Sequence, residues 1–248
     1  MRSFLTAIRF LTVLPAGRAE IDRKDLPLAI ELFPVVGLFI GSILILAALT
    51  LSALGFNETA LNAGVVVILI VITGGLHLDG LADTFDALGS GKPREEMLKI
   101  MRDPHIGTMG ALALLSALFL KFSLLSCVPA SGKFAAIILM CTLSRWSVVM
   151  ALSWLSYTRS EGKAKIFTES ARPKMTVLAA LITLAIVSVT AHFQGVAVFA
   201  LVTCAAYLFM MYVAKKIGGI TGDTLGALSE SMEVAALFFI CILKGKIL

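Results

Sequence analysis

The chain has 248 residues, 58% of them hydrophobic and 15% charged, with a net charge of +5 and a mean hydropathy of +0.96. Ordinary soluble domains carry about 25% charged residues, so a soluble domain of this length would lack the polar surface to cover itself. Composition therefore excludes a soluble protein and points to an all-α, polytopic membrane bundle. The expectation is one domain over residues 1–248, with about six or seven spanning helices.

Residues 3–14 (SFLTAIRFLTVL) form an amphipathic segment ended by Pro15. It is too short to span, so it lies at the interface or packs on the bundle. Arg2 and Arg9 flank apolar stretches that are short, interrupted and without a cleavage site, which does not read as a signal peptide. The first span is Leu32–Leu54, with Pro34 and Gly37 near its start. The second, Thr59–Leu76, ends at Gly74–Gly75. Gly107–Cys127, Lys133–Trp154, Met175–Phe193 and Gly195–Val213 follow, and a seventh lies within Leu225–Leu243 despite Glu230 and Glu233. Cys127, Cys141, Cys204 and Cys241 stand singly in apolar runs, as small hydrophobes rather than metal ligands or disulfide partners.

Lys and Arg collect before span one (Arg2, Arg9, Arg18, Arg23, Lys24), after span two (Lys92, Arg94, Lys99, Arg102), after span four (Arg159, Lys163, Lys165, Arg172, Lys174) and after span six (Lys215, Lys216). The alternate turns hold almost none, which puts the N-terminus and the polar loops in the cytoplasm; Lys244 and Lys246 at the far end dissent. The basic balance is thus the positive-inside signal of a multi-pass protein of the cell (inner or plasma) membrane, not a nucleic-acid footprint.

The chemistry concentrates in His77–Gly110, a polar island between two apolar runs. Asp79, Asp83 and Asp86 fall at i, i+4 and i+7. On a helix turning about 100° per residue they share one face within roughly 60°. Stacked like charges repel, and a divalent cation relieves them. Mg²⁺ takes oxygen ligands and bridges carboxylates to a substrate phosphate. A second island, Lys215–Glu233, places Asp223 after Gly218, Gly219 and Gly222, with Glu230 seven residues on and sharing its face. The two islands read as halves of one site.

Other groups carry two readings each. Asp103 is an N-cap ahead of Pro104 or a further ligand, and His105 is a surface histidine or a phosphate contact. Arg145, in mid-span, is a structural ion pair or a contact to an anionic substrate. Lys121 either snorkels or faces the bundle. Arg159, in SYTRSEGKAK, belongs to a solvated charge run or to a phosphate contact. His77 packs or orients rather than ligates.

The segments FLTVLP, ELFPVVGLFIG, HLDGLADTFDALGSG, IMRDPHIGTMG, LSRW, YTRSEG and GGITGDTLGALSE run in this order over nearly the whole chain. Together they resemble the cobalamin synthase family, the adenosylcobinamide-GDP ribazoletransferases, with HLDGLADT and TGDTLGA the most specific. The resemblance implies a Mg²⁺-dependent transfer in which the 5′-hydroxyl of α-ribazole, or of its 5′-phosphate, attacks the cobinamide-side phosphorus of adenosylcobinamide-GDP and GMP leaves. It implies that Asp79, Asp83, Asp86 and Asp223 hold the metal, that Asp83, Asp86 and Asp223 are catalytic, and that Arg102, Asp103, His105, Arg145, Arg159, Gly222 and Glu230 bind substrate. The bulky intermediates prompt a homo-oligomer or association with other enzymes of the pathway. Two rivals fit less well. A CDP-alcohol phosphatidyltransferase expects an Ala-Arg pair after Asp-Gly, where Asp79–Gly80 is followed by Leu81–Ala82–Asp83. A cation transporter expects acids near the bilayer midplane rather than at one end.

Overall fold

The computed structural model describes residues 1–17 and 22–243; Arg18, Lys244 and Lys246, which entered the charge distribution, lie outside them. The described residues form helices and turns only, apart from one isolated bridge between Tyr157 and Ile220. Helix α1 (Arg2–Leu11) packs on the bundle: Ala7, Ile8 and Leu11 are buried, and Phe10 stacks on Phe33 and against Phe167. The short helix α2 (Leu26–Glu31) leads into the long apolar helix α3 (Phe33–Ala53); α7 (Thr108–Cys127) and α8 (Ala130–Trp154) are consecutive long helices further along, and the elements α6 (Arg94–Ile100) and α9 (Lys163–Ser170) lie in the polar connections.

Helix α8 is the axis. Every residue from Ala136 to Ser153 is buried, and α3, α10 (Met175–Ile217) and α11 (Gly222–Leu243) pack around it. Glycine sets the α3 approach, since a Cβ at Gly41 would meet the Ile138 Cα at 3.2 Å. Small residues of this kind let membrane helices touch where no hydrophobic drive separates helix from lipid.

Helix α4 (Glu58–Thr73) starts at Asn57, whose side chain accepts the Ala60 N–H at 2.9 Å. It stops at Gly74 and Gly75, both left-handed (φ 63° and 69°), a conformation only glycine adopts without penalty. The pair turns the chain by 89° into α5 (Leu76–Gly89). Leu76, expected as the last residue of the second span, is therefore the first of α5, and the acidic helix packs along the start of α11 and against α7.

Helix α10 has 43 residues. At about 1.5 Å per residue a straight helix of that size would be twice as long as the roughly 30 Å hydrocarbon core. It is broken at Ala191 and His192, and a Cβ on Gly195 would collide with Val187, eight residues back. The two arms thus fold on each other, as two spans meeting within two residues of the expected break. Among the described residues five helices, α10 included, are long and apolar enough to cross a membrane, and the bent pair α4–α5 makes six if it counts as one span. The fold is an all-α polytopic membrane bundle.

Candidate active site

All three aspartates of the first island lie on α5, and they do not share one task. Asp79 is exposed and Asp83 half-buried at the polar end of the bundle. Asp86 points to the start of α7, where its two oxygens accept the N–H groups of Gly107 (2.7 Å) and Gly110 (2.8 Å). It serves as a long-range helix cap, neutralising donors that the first turn leaves orphaned. Asp86, expected as a metal ligand, thus carries a hydrogen bond on each of its oxygens. Its partners are 21 and 24 residues away, so no local spacing announces them.

Asp223 comes to the same place from the other end of the chain. Thr221 caps α11 reciprocally with Thr224: the Thr224 N–H donates to the Thr221 hydroxyl at 3.2 Å, and the Thr221 N–H to the Thr224 hydroxyl at 2.8 Å. That puts Asp223 in the first turn. Gly80 of α5 sits directly against it, since a Cβ there would lie 2.6 Å from the Asp223 carbonyl oxygen. One turn on, a Cβ at Gly226 would lie 3.0 Å from the His77 carbonyl oxygen. Glycine on both sides brings the two backbones close enough for Asp79, Asp83 and Asp223 to share an electrostatic field. Burial first, then the charges of Asp79 and Asp223, push the Asp83 carboxyl up to about 7, against a partial counter-effect from Arg159.

Arg159 completes the group. The loop after α8 pairs with the loop before α11: the Ile220 N–H donates to the Ser156 carbonyl and the Thr158 N–H to the Ile220 carbonyl, both at 2.9 Å. This clamp holds Arg159 Nη2 at 2.6 Å from Asp223 Oδ2, with a longer bond (3.4 Å) to the Met101 carbonyl. Its Nε is buried and has no partner among the described residues, so a donor is left over. The clamp joins the motifs YTRSEG and GGITGDT, which sequence alone left as two separate loops.

The remaining expected residues divide. Arg102 is exposed beyond α6, next to Met101. Asp103 and His105 pair with each other at 2.7 Å, and the His105 side chain is 88% exposed. The histidine's backbone and ring N–H hold the Asp103 carboxyl below the usual range. Gly222 opens α11, and a Cβ there would meet nothing.

Arg145 and Glu230 are not brought to this surface. Glu230 pairs with Lys121 of α7 at 2.6 Å, and Glu233 pairs with both Lys121 and Arg145 of α8. All four side chains are at most 3% exposed. Arg145 and Glu230, expected as substrate contacts, instead meet Glu233 and Lys121 respectively inside the bundle. A balance of two cations against two acids within apolar runs was a signal available in the sequence.

Among the described residues no three His, Cys, Asp or Glu groups converge tightly enough to cage a metal. Mg²⁺ does not need such a cage, because it keeps several waters and binds through one or two carboxylates plus substrate phosphate. Asp79, Asp83 and Asp223 offer hard oxygen donors whose negative charge Arg159 offsets only in part, visible in the raised Asp83, and this donor set fits the ion. The unused donor of Arg159 fits an anionic oxygen beside it.

Residues 3–241 match the cobalamin-5-phosphate synthase family. The chain belongs to that family. It is 39% identical over 232 residues to the adenosylcobinamide-GDP ribazoletransferase of Roseiflexus sp., covering 93% of this chain and 86% of that one. It is 35% identical over 240 residues to the protein of the same name from Desulforamulus reducens, covering 97% and 96%. It is 34% identical over 246 residues to that of Caldanaerobacter subterraneus, covering 98% and 99%. No solved structure matches.

Proposed function

We propose that this chain is a Mg²⁺-dependent transferase of late cobalamin assembly. It moves the adenosylcobinamide phosphate group of adenosylcobinamide-GDP to the 5′-hydroxyl of α-ribazole or its 5′-phosphate, releasing GMP. The observation that carries this reading is the meeting of Asp79 and Asp83 with Asp223 and Arg159 at one end of a membrane bundle, in a chain matched to its family over residues 3–241. The positive-inside distribution supports a cytoplasmic position for that end, where a water-soluble nucleotide intermediate is accessible.

Transfer at a diphosphate is mostly positioning and charge neutralisation. Asp79, Asp83 and Asp223 would hold Mg²⁺, which supplies neutralisation of the diphosphate charge. Arg159 binds a diphosphate oxygen through the donor not used by Asp223. Arg102, exposed beside Met101, lies close enough to Tyr157 for its charge to act there together with that of Arg159. One carboxylate of this group, not fully committed to the metal, takes the proton of the attacking hydroxyl. The bond from the ribazole oxygen to phosphorus forms, the bond from that phosphorus to the bridging oxygen breaks, and GMP leaves with the bridging oxygen. Asp86 holds the start of α7 against α5, which keeps the site's wall in place.

The test is GMP release by purified protein from adenosylcobinamide-GDP and α-ribazole, compared for the parent chain and Arg159→Ala. Release that needs both substrates and weakens in the variant, chiefly through KM, supports the reading; release without ribazole would make the protein a hydrolase instead.

A further inference from the structure

The four buried charges lie away from the acidic surface, and on the reading above none of them touches substrate. Their placement is specific. Glu230 lies two turns along α11 from Asp223, on the same face, with Glu233 one turn further. Lys121 reaches this pair from α7, binding Glu230 at 2.6 Å and also Glu233. Arg145 reaches Glu233 from α8, and its Nη1 also donates to the Ser144 hydroxyl at 2.7 Å. The two cations thus grip α11 from two different helices.

Apolar packing alone specifies helix rotation poorly in lipid, where leucine against a neighbouring helix is little better than leucine against an acyl chain. Ion pairs inside a bundle are poor sources of net stability, and their best-attested use is to fix register. Turning α11 by one residue, about 100°, would carry both glutamates away from both cations. The α5–α11 contact tolerates no such turn either, because Gly80 and Gly226 are the positions at which the backbones meet.

We propose that Lys121, Arg145, Glu230 and Glu233 are positioning residues for the transfer reaction. They pin α11 to α7 and α8 so that Asp223 faces Asp79 and Asp83 across Gly80. The inference rests on the assignment of those aspartates as the metal and substrate site.

The experiment compares the parent chain with Lys121→Met/Glu230→Gln, which removes one cation and one anion and keeps the buried charge balanced. Two quantities are read in detergent: Mn²⁺ binding by electron paramagnetic resonance, and the kcat and KM of GMP release. The expected result is a folded variant whose Mn²⁺ affinity and kcat both fall at least tenfold, with KM within threefold of the parent. A folded variant with parental Mn²⁺ affinity and kcat overturns the positioning role and leaves the four groups as a purely structural network of three ion pairs. Should the double variant not fold, Lys121→Arg keeps every charge and alters only the arm from α7. A several-fold loss of Mn²⁺ affinity and kcat supports the anchor there, and parental values overturn it. A parent chain that turns over substrate without binding Mn²⁺ overturns the metal-site reading instead, and the kcat comparison then decides the anchor by itself.

Discussion

Gly80→Ala is the most economical perturbation of the site, because it adds one methyl group and touches no charge. The new Cβ would lie 2.6 Å from the Asp223 carbonyl oxygen, 2.9 Å from its Cα and 3.1 Å from its carbonyl carbon, all backbone atoms that no rotamer change can move. Ordinary contact begins at 3.4 Å, so α5 and α11 must part by about 0.8 Å at the point where Asp83 and Asp223 meet. Overpacking of this kind costs about 1–3 kcal/mol, and alanine in a helix returns up to about 1 kcal/mol over glycine. The net loss of stability is therefore small, on the order of 1 kcal/mol. Displacing catalytic groups by nearly an ångström lowers rate by about 10- to 100-fold. The assay pairs thermal melting in detergent with GMP release at saturating substrates, and Gly132→Ala is the control, since its Cβ would meet only the Val128 side chain at 3.5 Å. A folded Gly80→Ala protein with parental kcat would refute the claim that glycine at this position sets the Asp83–Asp223 geometry.

Further outcomes follow from the same contacts. Asp86→Asn leaves one acceptor oxygen for two N–H donors at the head of α7, and should lower stability by about 1–2 kcal/mol while the Mg²⁺ concentration for half-maximal rate stays unchanged. Glu233→Gln leaves two buried cations facing a single acid, and should cost about 3–5 kcal/mol, read as a large fall in melting temperature. The Asp83 carboxyl ionises at 3.8 in its ordinary state and at about 7 in the folded protein. Metal-free protein should therefore lose stability as pH rises through that window, because the unfolded chain gives up the proton first. Melting of EDTA-treated protein across this pH range should show the decline, and Asp83→Asn or added Mg²⁺ should flatten it; an unchanged slope in the variant would point to a different titrating group.

The bundle was legible because its signals are local. Apolar runs bounded by Pro, Gly and charge gave the spanning helices, and the left-handed pair Gly74–Gly75 gave the point where the chain leaves the second span. The spacing of Asp79 and Asp83 gave a true helix face. What sequence could not deliver was pairing across distance. Asp86 answers donors from the next spanning helix, Arg159 reaches Asp223 only because two loops form a bridge, and Lys121 chooses Glu230 and Glu233 from more than 100 residues away. Those pairings moved Arg145 and Glu230 from the expected substrate surface to the interior. A helical wheel ranks residues by face, but which face meets which is set by packing. Here packing is set by glycines whose only visible property in the sequence is that they lack a side chain.

The central claim is that Asp83, between Asp79 and Asp223, makes this bundle a metal-dependent ribazole-transferring enzyme. The most direct measurement is turnover of adenosylcobinamide-GDP with α-ribazole in detergent, with Mg²⁺ and with EDTA, for the parent chain and Asp83→Asn. The expected result is product formation that requires Mg²⁺ and collapses in a variant that still folds. Parental turnover by folded Asp83→Asn, or turnover undiminished by EDTA, would contradict it.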